Sequence, residues 1–170
     1  MVRICRLGKS IPERFAYRYY DAVTVGIDFT ARDWQREART KGLPWEICKG
    51  FDGSAVIGEW VDKQKFRDIQ AIHFHLDING KMVQEGCTSD MLYKVDELVS
   101  YISQFFTLKT GDLLYTGTPV GVGPVHIDDH LEDGSKTVRC WNLTVSEHKT
   151  IHRKSDTPVV VSDDERTRVL

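Results

Sequence analysis

The dipeptide Asn79-Gly80 constrains the fold more than any other feature of this 170-residue chain. Just before it, Ile72, Phe74, Leu76 and Ile78 alternate with His73, His75 and Asp77, the period-2 pattern of a half-buried strand. Asn-Gly supplies the two left-handed residues of a type I′ turn, whose twist suits a hairpin. Lys81 to Gln84 is therefore expected to return antiparallel. A two-residue connection cannot carry a parallel crossover, so an all-parallel sheet is excluded.

The remaining pattern fills in around this hairpin. Val2 to Leu7 reads as a short strand, and Ser10 with Glu13 forms a capping box opening a helix to about Tyr20. The apolar run Ala22 to Asp28 reads as one buried strand. Thr30, with Asp33 three residues on, caps a second helix that Gly42 and Pro44 terminate. Trp45 to Asp68 is irregular, interrupted by Gly50, Gly53 and Gly58. Leu98, Tyr101, Ile102 and Phe105 give helical spacing over Val95 to Phe106. Leu113 to Tyr115 is a strand entering a glycine-rich loop, Thr116 to Pro124, and Val138 to Val145 alternates again and closes the sheet. The fold class is α+β, a mixed sheet with helices, in a core spanning 1–146. From Glu147 the chain is charged and aperiodic, which reads as a flexible tail over 147–170.

Composition narrows the function classes. With 41% hydrophobic and 28% charged residues the chain can bury a real core. A formal charge of −2 gives no reason to expect nucleic acid or an anionic membrane as partner. No apolar run reaches the length of a membrane span. Cys5, Cys48, Cys87 and Cys140 are scattered, so reduced thiols in a cytoplasmic protein are expected rather than a zinc site or disulfides.

Four features could carry chemistry. Asp28 ends an apolar strand just before a capped helix, a position that suits a metal or substrate ligand and equally a solvent-facing turn carboxylate. The glycines of Thr116 to Pro124 would let backbone N–H groups approach an anion, or simply make a tight connection. The loop is neither a P-loop nor a dinucleotide fingerprint, because no Gly-Lys-Ser/Thr follows and its prolines break the required spacing. His73 and His75 share a strand face that reads as the polar side of the sheet, and His126 and His130 sit in an acidic loop rather than on a helix. Lys49, among apolar neighbours and before Gly50, could present its ammonium to a carboxylate or enolate.

Taken in order, Gly26-Ile-Asp-Phe-Thr-Ala-Arg-Asp33, Lys41-Gly-Leu-Pro-Trp-Glu-Ile-Cys-Lys-Gly-Phe51, Asn79-Gly with Gln84-Glu-Gly-Cys-Thr-Ser-Asp-Met91, and Tyr115-Thr-Gly-Thr-Pro-Val-Gly-Val-Gly-Pro124 resemble the fumarylacetoacetate-hydrolase family. The likeness spans about Gly8 to Val145 and is closest to the branch of acylpyruvases, oxaloacetate decarboxylases and hydroxyheptadienedioate isomerases. It implies a mixed β-sandwich or roll, a homodimer, one Mg²⁺ or Mn²⁺, and small 2-oxo or β-diketo acid substrates. It also implies that the metal acts as a Lewis acid on the substrate's 2-oxo carboxylate. Carried over by position, Asp28 matches a metal ligand and Lys49 the lysine facing the developing enolate. Thr116, Gly117 and Thr118 match the loop holding the substrate carboxylate, while Arg32 and Gln35 border the same pocket.

The sequence also departs from that pattern. The family's Glu-x-Glu pair, aligned through Asp28, would fall upstream of Met1, and Val2, Arg3 and Ile4 cannot replace it. The family's lid, with its His and Glu general base, would lie further upstream. The expectation is therefore that this chain binds Mg²⁺ or Mn²⁺ weakly and is feebly active or inactive. The competing reading is a non-catalytic remnant or oligomer partner that keeps the fold without the metal site.

Overall fold

A computed structural model describes residues 1–135, 139–145, 150–153, 158–160 and 167–168, with side chains described through residue 132. The chain divides into two compact units. One comprises Met1–Thr24, Glu59–His73 and Gly86–Thr118; the other comprises Val25–Gly58, Phe74–Glu85 and Pro119–Leu170.

The first unit is built on β1 (Val2–Ile4), α1 (Glu13–Ala16) and β2 (Tyr20–Val23). β1 pairs antiparallel with β2, with Val2 opposite Val23. Two short strands, β6 (Val61–Asp62) and β9 (Leu113–Leu114), complete a four-stranded sheet in the order β6-β2-β1-β9. Helix α4 (Val95–Phe105) contributes Val95 and Val99 to a core with Val2, Ile4, Ile11, Ala16, Tyr20, Val23 and Leu108. The Glu97 carboxylate accepts the Lys94 N–H at 2.8 Å, satisfying a donor at the start of α4. Polar groups lock the same helix in place: the Tyr20 hydroxyl donates to Asp96 Oδ1 at 2.9 Å, and the Ile11 N–H donates to Ser103 Oγ at 2.8 Å.

In the second unit β3 (Gly26–Asp28) pairs with β5 (Ala55–Ile57), and β4 (Thr30–Ala31) leads directly into α2 (Arg32–Lys41). A single-turn helix, α3 (Glu46–Lys49), follows. β7 (His73–Ile78) and β8 (Lys81–Cys87) are neighbours in a six-stranded sheet, and β7 pairs antiparallel with β10 (His130–Ser135). Beyond β10 the sheet continues through β11 (Arg139–Val145), β12 (Thr150–Arg153) and β13 (Pro158–Val160), while β14 (Thr167–Arg168) pairs with β4. Ile27, Phe29, Val56, Leu76, Val125 and Leu131 form the core here, with Phe29 wholly buried.

The hairpin expectation holds: Asn79 and Gly80 both have positive φ, 54° and 76°, as a type I′ turn requires. Gly42 also ends α2 as expected. Its φ is +65°, and the Leu43 N–H reaches back to the Ala38 carbonyl at 2.8 Å, a Schellman closure. Three local expectations are corrected. Ser10 does not cap α1; it has φ +50° and donates its N–H to the Ser103 carbonyl, and Pro12 stands at the cap, with α1 ending by Ala16. The run Ala22 to Asp28 is two strands, because the chain leaves one sheet after Val23 and joins another at Gly26. Thr30 is not the cap of α2, since Ala31 holds that place and the Thr30 hydroxyl donates to the Asp28 carbonyl at 3.3 Å. Strands β12, β13 and β14 fall within the stretch read as a tail; 146–149, 154–157, 161–166 and 169–170 of it lie outside the described residues, as does 138 before β11.

Candidate active site

The second unit brings two of the expected residues together. Asp28 closes β3, where its partner across the pair is Ala55, so its backbone is held by the sheet while its side chain stands at the strand's end. Lys49 is the last residue of α3, a turn closed by the Gly50 N–H on the Glu46 carbonyl at 2.5 Å. A side chain at position 50 would meet that same carbonyl, since a Cβ there would lie 2.9 Å from it; this glycine lets the turn close tightly behind Lys49. Lys49 Nζ then donates to Asp28 Oδ2 at 2.8 Å. The two side chains are 25% and 36% exposed, which leaves the pair reachable by a small ligand while limiting its hydration.

An ammonium has three donors, and Asp28 takes one of them. The others are directed elsewhere and can meet the oxygen of a carboxylate or an enolate. Sharing a carboxylate keeps Lys49 charged and fixes where that charge sits, as electrostatic stabilisation of a developing oxyanion requires.

Arg32 and Gln35 sit on the first turn of α2, immediately after β4. Arg32 Nη1 donates to Gln35 Oε1 at 2.6 Å, and Gln35 is buried although its helix is mostly exposed. Thr116, Gly117 and Thr118 belong to the first unit, where Thr116 is half-buried, Thr118 is exposed, and Gly117 has φ +103° with open space beside its α-carbon.

The residues present do not fit a divalent cation. Mg²⁺ and Mn²⁺ are hard ions that take several oxygen donors. Here one carboxylate is available, and one of its oxygens is already held by an ammonium. Among the described residues no three His, Cys, Asp or Glu side chains are placed to hold a metal ion.

The histidine pairs take other roles. His75 Nε2 lies 3.9 Å from Asp77 Oδ2 on the face of β7 opposite Leu76, which is the polar side expected. The Asp129 carboxylate accepts the His126 N–H at 2.8 Å in a turn, so His126 marks a loop cap rather than a ligand. A hollow of about 680 Å³ lies between α2 and α3, lined by Trp34, Leu43, Pro44 and Ile47 among others. Its walls are apolar and neither Asp28 nor Lys49 lines it, so its size is no guide to the chemistry. Sequence reasoning gave Gln84 and Gly121 no role. The only signal available was a polar residue on an otherwise apolar-patterned strand.

An α+β fold with a lysine–carboxylate pair at a strand end is a scaffold for handling small acids. The particular family follows from comparison with known proteins. Residues 1–161 match the family described as "Fumarylacetoacetate (FAA) hydrolase C-terminal", and the chain belongs to that family. It is 41% identical over 133 residues to oxaloacetate tautomerase FAHD1, mitochondrial, of Mus musculus, which covers 78% of this chain and 60% of the relative. The chain thus spans about three-fifths of that relative's length. A fumarylacetoacetate hydrolase family protein from Yersinia pestis CO92 superposes with a TM-score of 0.81 at 37% identity, covering 85% of this chain and 66% of that one. Fumarylpyruvate hydrolase from Pseudomonas aeruginosa, solved in complex with Mn²⁺ and pyruvate, gives the same TM-score of 0.81 at 34% identity, over 85% and 62%. Divalent metal is thus present in at least one member of the family, and its relatives include tautomerases, hydrolases and isomerases. No helix among the described residues is long and apolar enough to cross a membrane.

Proposed function

We propose that this chain carries the enolate-stabilising lysine of an enzyme acting on small 2-oxo or β-diketo acids. The observation that carries the reading is the 2.8 Å bond from Lys49 Nζ to Asp28 Oδ2 at the end of β3. Acylpyruvate cleavage, oxaloacetate decarboxylation and keto–enol isomerisation all pass negative charge to the oxygen of the 2-oxo group. A fixed ammonium beside that oxygen stabilises the charge as it develops. Asp28 holds Lys49 in place, Arg32 and Gln35 border the acid, and Thr116, Gly117 and Thr118 receive its carboxylate. The protein is placed in the cytoplasm and assembles as a homodimer; the FAHD1 relatives carry the mitochondrion in their names.

Affinity of this chain for Mg²⁺ or Mn²⁺ is weak, because Asp28 offers one carboxylate already engaged with Lys49. The experiment is turnover of oxaloacetate and acetylpyruvate with excess Mg²⁺, for the full chain and its Lys49→Met variant. Slow catalysis that the variant loses is expected; catalysis that the variant keeps removes Lys49 from the mechanism.

The same engagement of Asp28, with no three metal-ligating side chains grouped among the described residues, favours a second reading. The fold would then serve as a non-catalytic oligomer partner. Tight calorimetric binding of Mn²⁺, abolished by Asp28→Ala, would eliminate it; an absence of both binding and turnover would favour it over the first.

A further inference from the structure

Gln84 is the buried residue at the centre of β8, and it is polar. An amide side chain cut off from water costs free energy unless it is bonded, so its presence there calls for a partner. Gln84 Nε2 donates to the carbonyl of Pro119 at 3.1 Å. Pro119 follows Thr118 directly in the glycine-rich loop. Two residues on, Gly121 has φ +105°, and a Cβ there would lie 2.4 Å from the Val83 carbonyl and 3.0 Å from Gln84 Cγ. The loop backbone therefore lies directly on β8 at Val83 and Gln84, in a conformation and at a distance that only glycine allows.

The loop has a fastened half and an open half. Residues 119–121 are tied to β8 by one side-chain hydrogen bond and one close backbone approach. Gly117, at φ +103°, has nothing within 4 Å of where a Cβ would be, and Thr118 is exposed. The position of the open half is thus inherited from the fastened half through the peptide bond between Thr118 and Pro119.

We infer that Gln84 is a positioning residue: it fastens the Thr116–Pro124 loop to β8 and so sets how well the loop receives a substrate carboxylate. The carboxylate part rests on the function proposed above. Gln84 touches no reacting atom in this scheme and acts only through the loop.

The test uses the full chain with hydrogen exchange and pyruvate titration in excess Mn²⁺. Gln84→Met keeps the volume and removes the donor. Amides of Gly117, Thr118, Val120 and Gly121 are expected to exchange about fivefold faster, the factor one hydrogen bond commands, with the rest of the chain unchanged. Pyruvate affinity is expected to fall by about the same factor. Gln84→Glu separates bonding from filling: an ionised carboxylate cannot donate to the Pro119 carbonyl, whereas a neutral carboxyl can. Loop exchange in this variant is expected to be fast at neutral pH and to slow at about pH 5, since burial favours the neutral acid. Unchanged loop exchange in Gln84→Met, or no pH contrast in Gln84→Glu, overturns the inference. If Gln84→Met exchanges everywhere through unfolding, the Gln84→Glu contrast alone decides. Loop exchange that responds while the unsubstituted chain fails to bind pyruvate overturns the proposed function instead, and leaves the fastening intact.

Discussion

Removing the Lys49–Asp28 pair should reveal a measurable coupling between the two side chains. Their bonded atoms are 2.8 Å apart and the side chains are 25% and 36% exposed. Charges at about 4 Å attract by about 1 kcal/mol in bulk water and by about 4 kcal/mol at an effective dielectric constant of 20. This pair stands between those limits, and ordering and partial desolvation offset part of the gain, leaving about 1 kcal/mol. The assay is urea denaturation of the unsubstituted chain, Lys49→Met, Asp28→Asn and the double variant. Each single variant leaves one group without its partner, so the two single losses should together exceed the double by about 1 kcal/mol. Raising the ionic strength should shrink that excess, because half-exposed charges are screened. A coupling within about 0.3 kcal/mol of zero at low salt would refute the pair as a fixed feature in solution.

Other consequences are as direct. Gly121→Ala should destabilise by about 2 kcal/mol or more, visible in thermal melting, because its φ of +105° and a 2.4 Å approach to the Val83 carbonyl both oppose a side chain. Tyr20→Phe should cost about 1–2 kcal/mol by leaving Asp96 without its donor. Burial first, and then the bond to Asp96, raise the Tyr20 phenol above its ordinary range. Its stability contribution is therefore complete below the ordinary phenol range and is lost as pH rises through the folded value, so the variant should show a flatter alkaline limb in pH-dependent melting. Hydrogen bonds from Arg3, at 3.0 and 2.9 Å, hold the Asp21 carboxyl below the usual carboxylate range. That contribution is present above the unfolded pKa and is lost as pH falls through the folded one. Since both side chains are well exposed, Asp21→Asn should remove only a few tenths of a kcal/mol from the acid limb.

The parts of the fold that could be read from the sequence are those governed by local rules. Asn79-Gly80 turned as it had to, and Gly42 stopped α2 because a left-handed residue is needed to close a Schellman motif. What escaped was set by distant contacts. Ser10 has the chemistry of a cap, yet its N–H is taken by the Ser103 carbonyl on α4, which drives it to positive φ and moves the helix start to Pro12. The run from Ala22 to Asp28 has an unbroken strand pattern, and nothing in its periodicity records that Val23 and Gly26 pair with different sheets. The Asp28–Lys49 contact joins residues 21 positions apart, a separation that no motif spacing encodes; only the family resemblance pointed to both. Gln84 lay within a quoted motif and was passed over, because a strand pattern does not show that its amide is buried against a loop 35 residues on.

Deuterium incorporation into the methyl group of pyruvate measures enolisation of a 2-oxo acid without requiring any later bond cleavage. In D₂O with excess Mg²⁺, the full chain should accelerate incorporation above the buffer rate, and Lys49→Met should abolish the excess while remaining folded. Incorporation at the buffer rate, or an excess that survives in Lys49→Met, would contradict Lys49 as the group that stabilises the enolate.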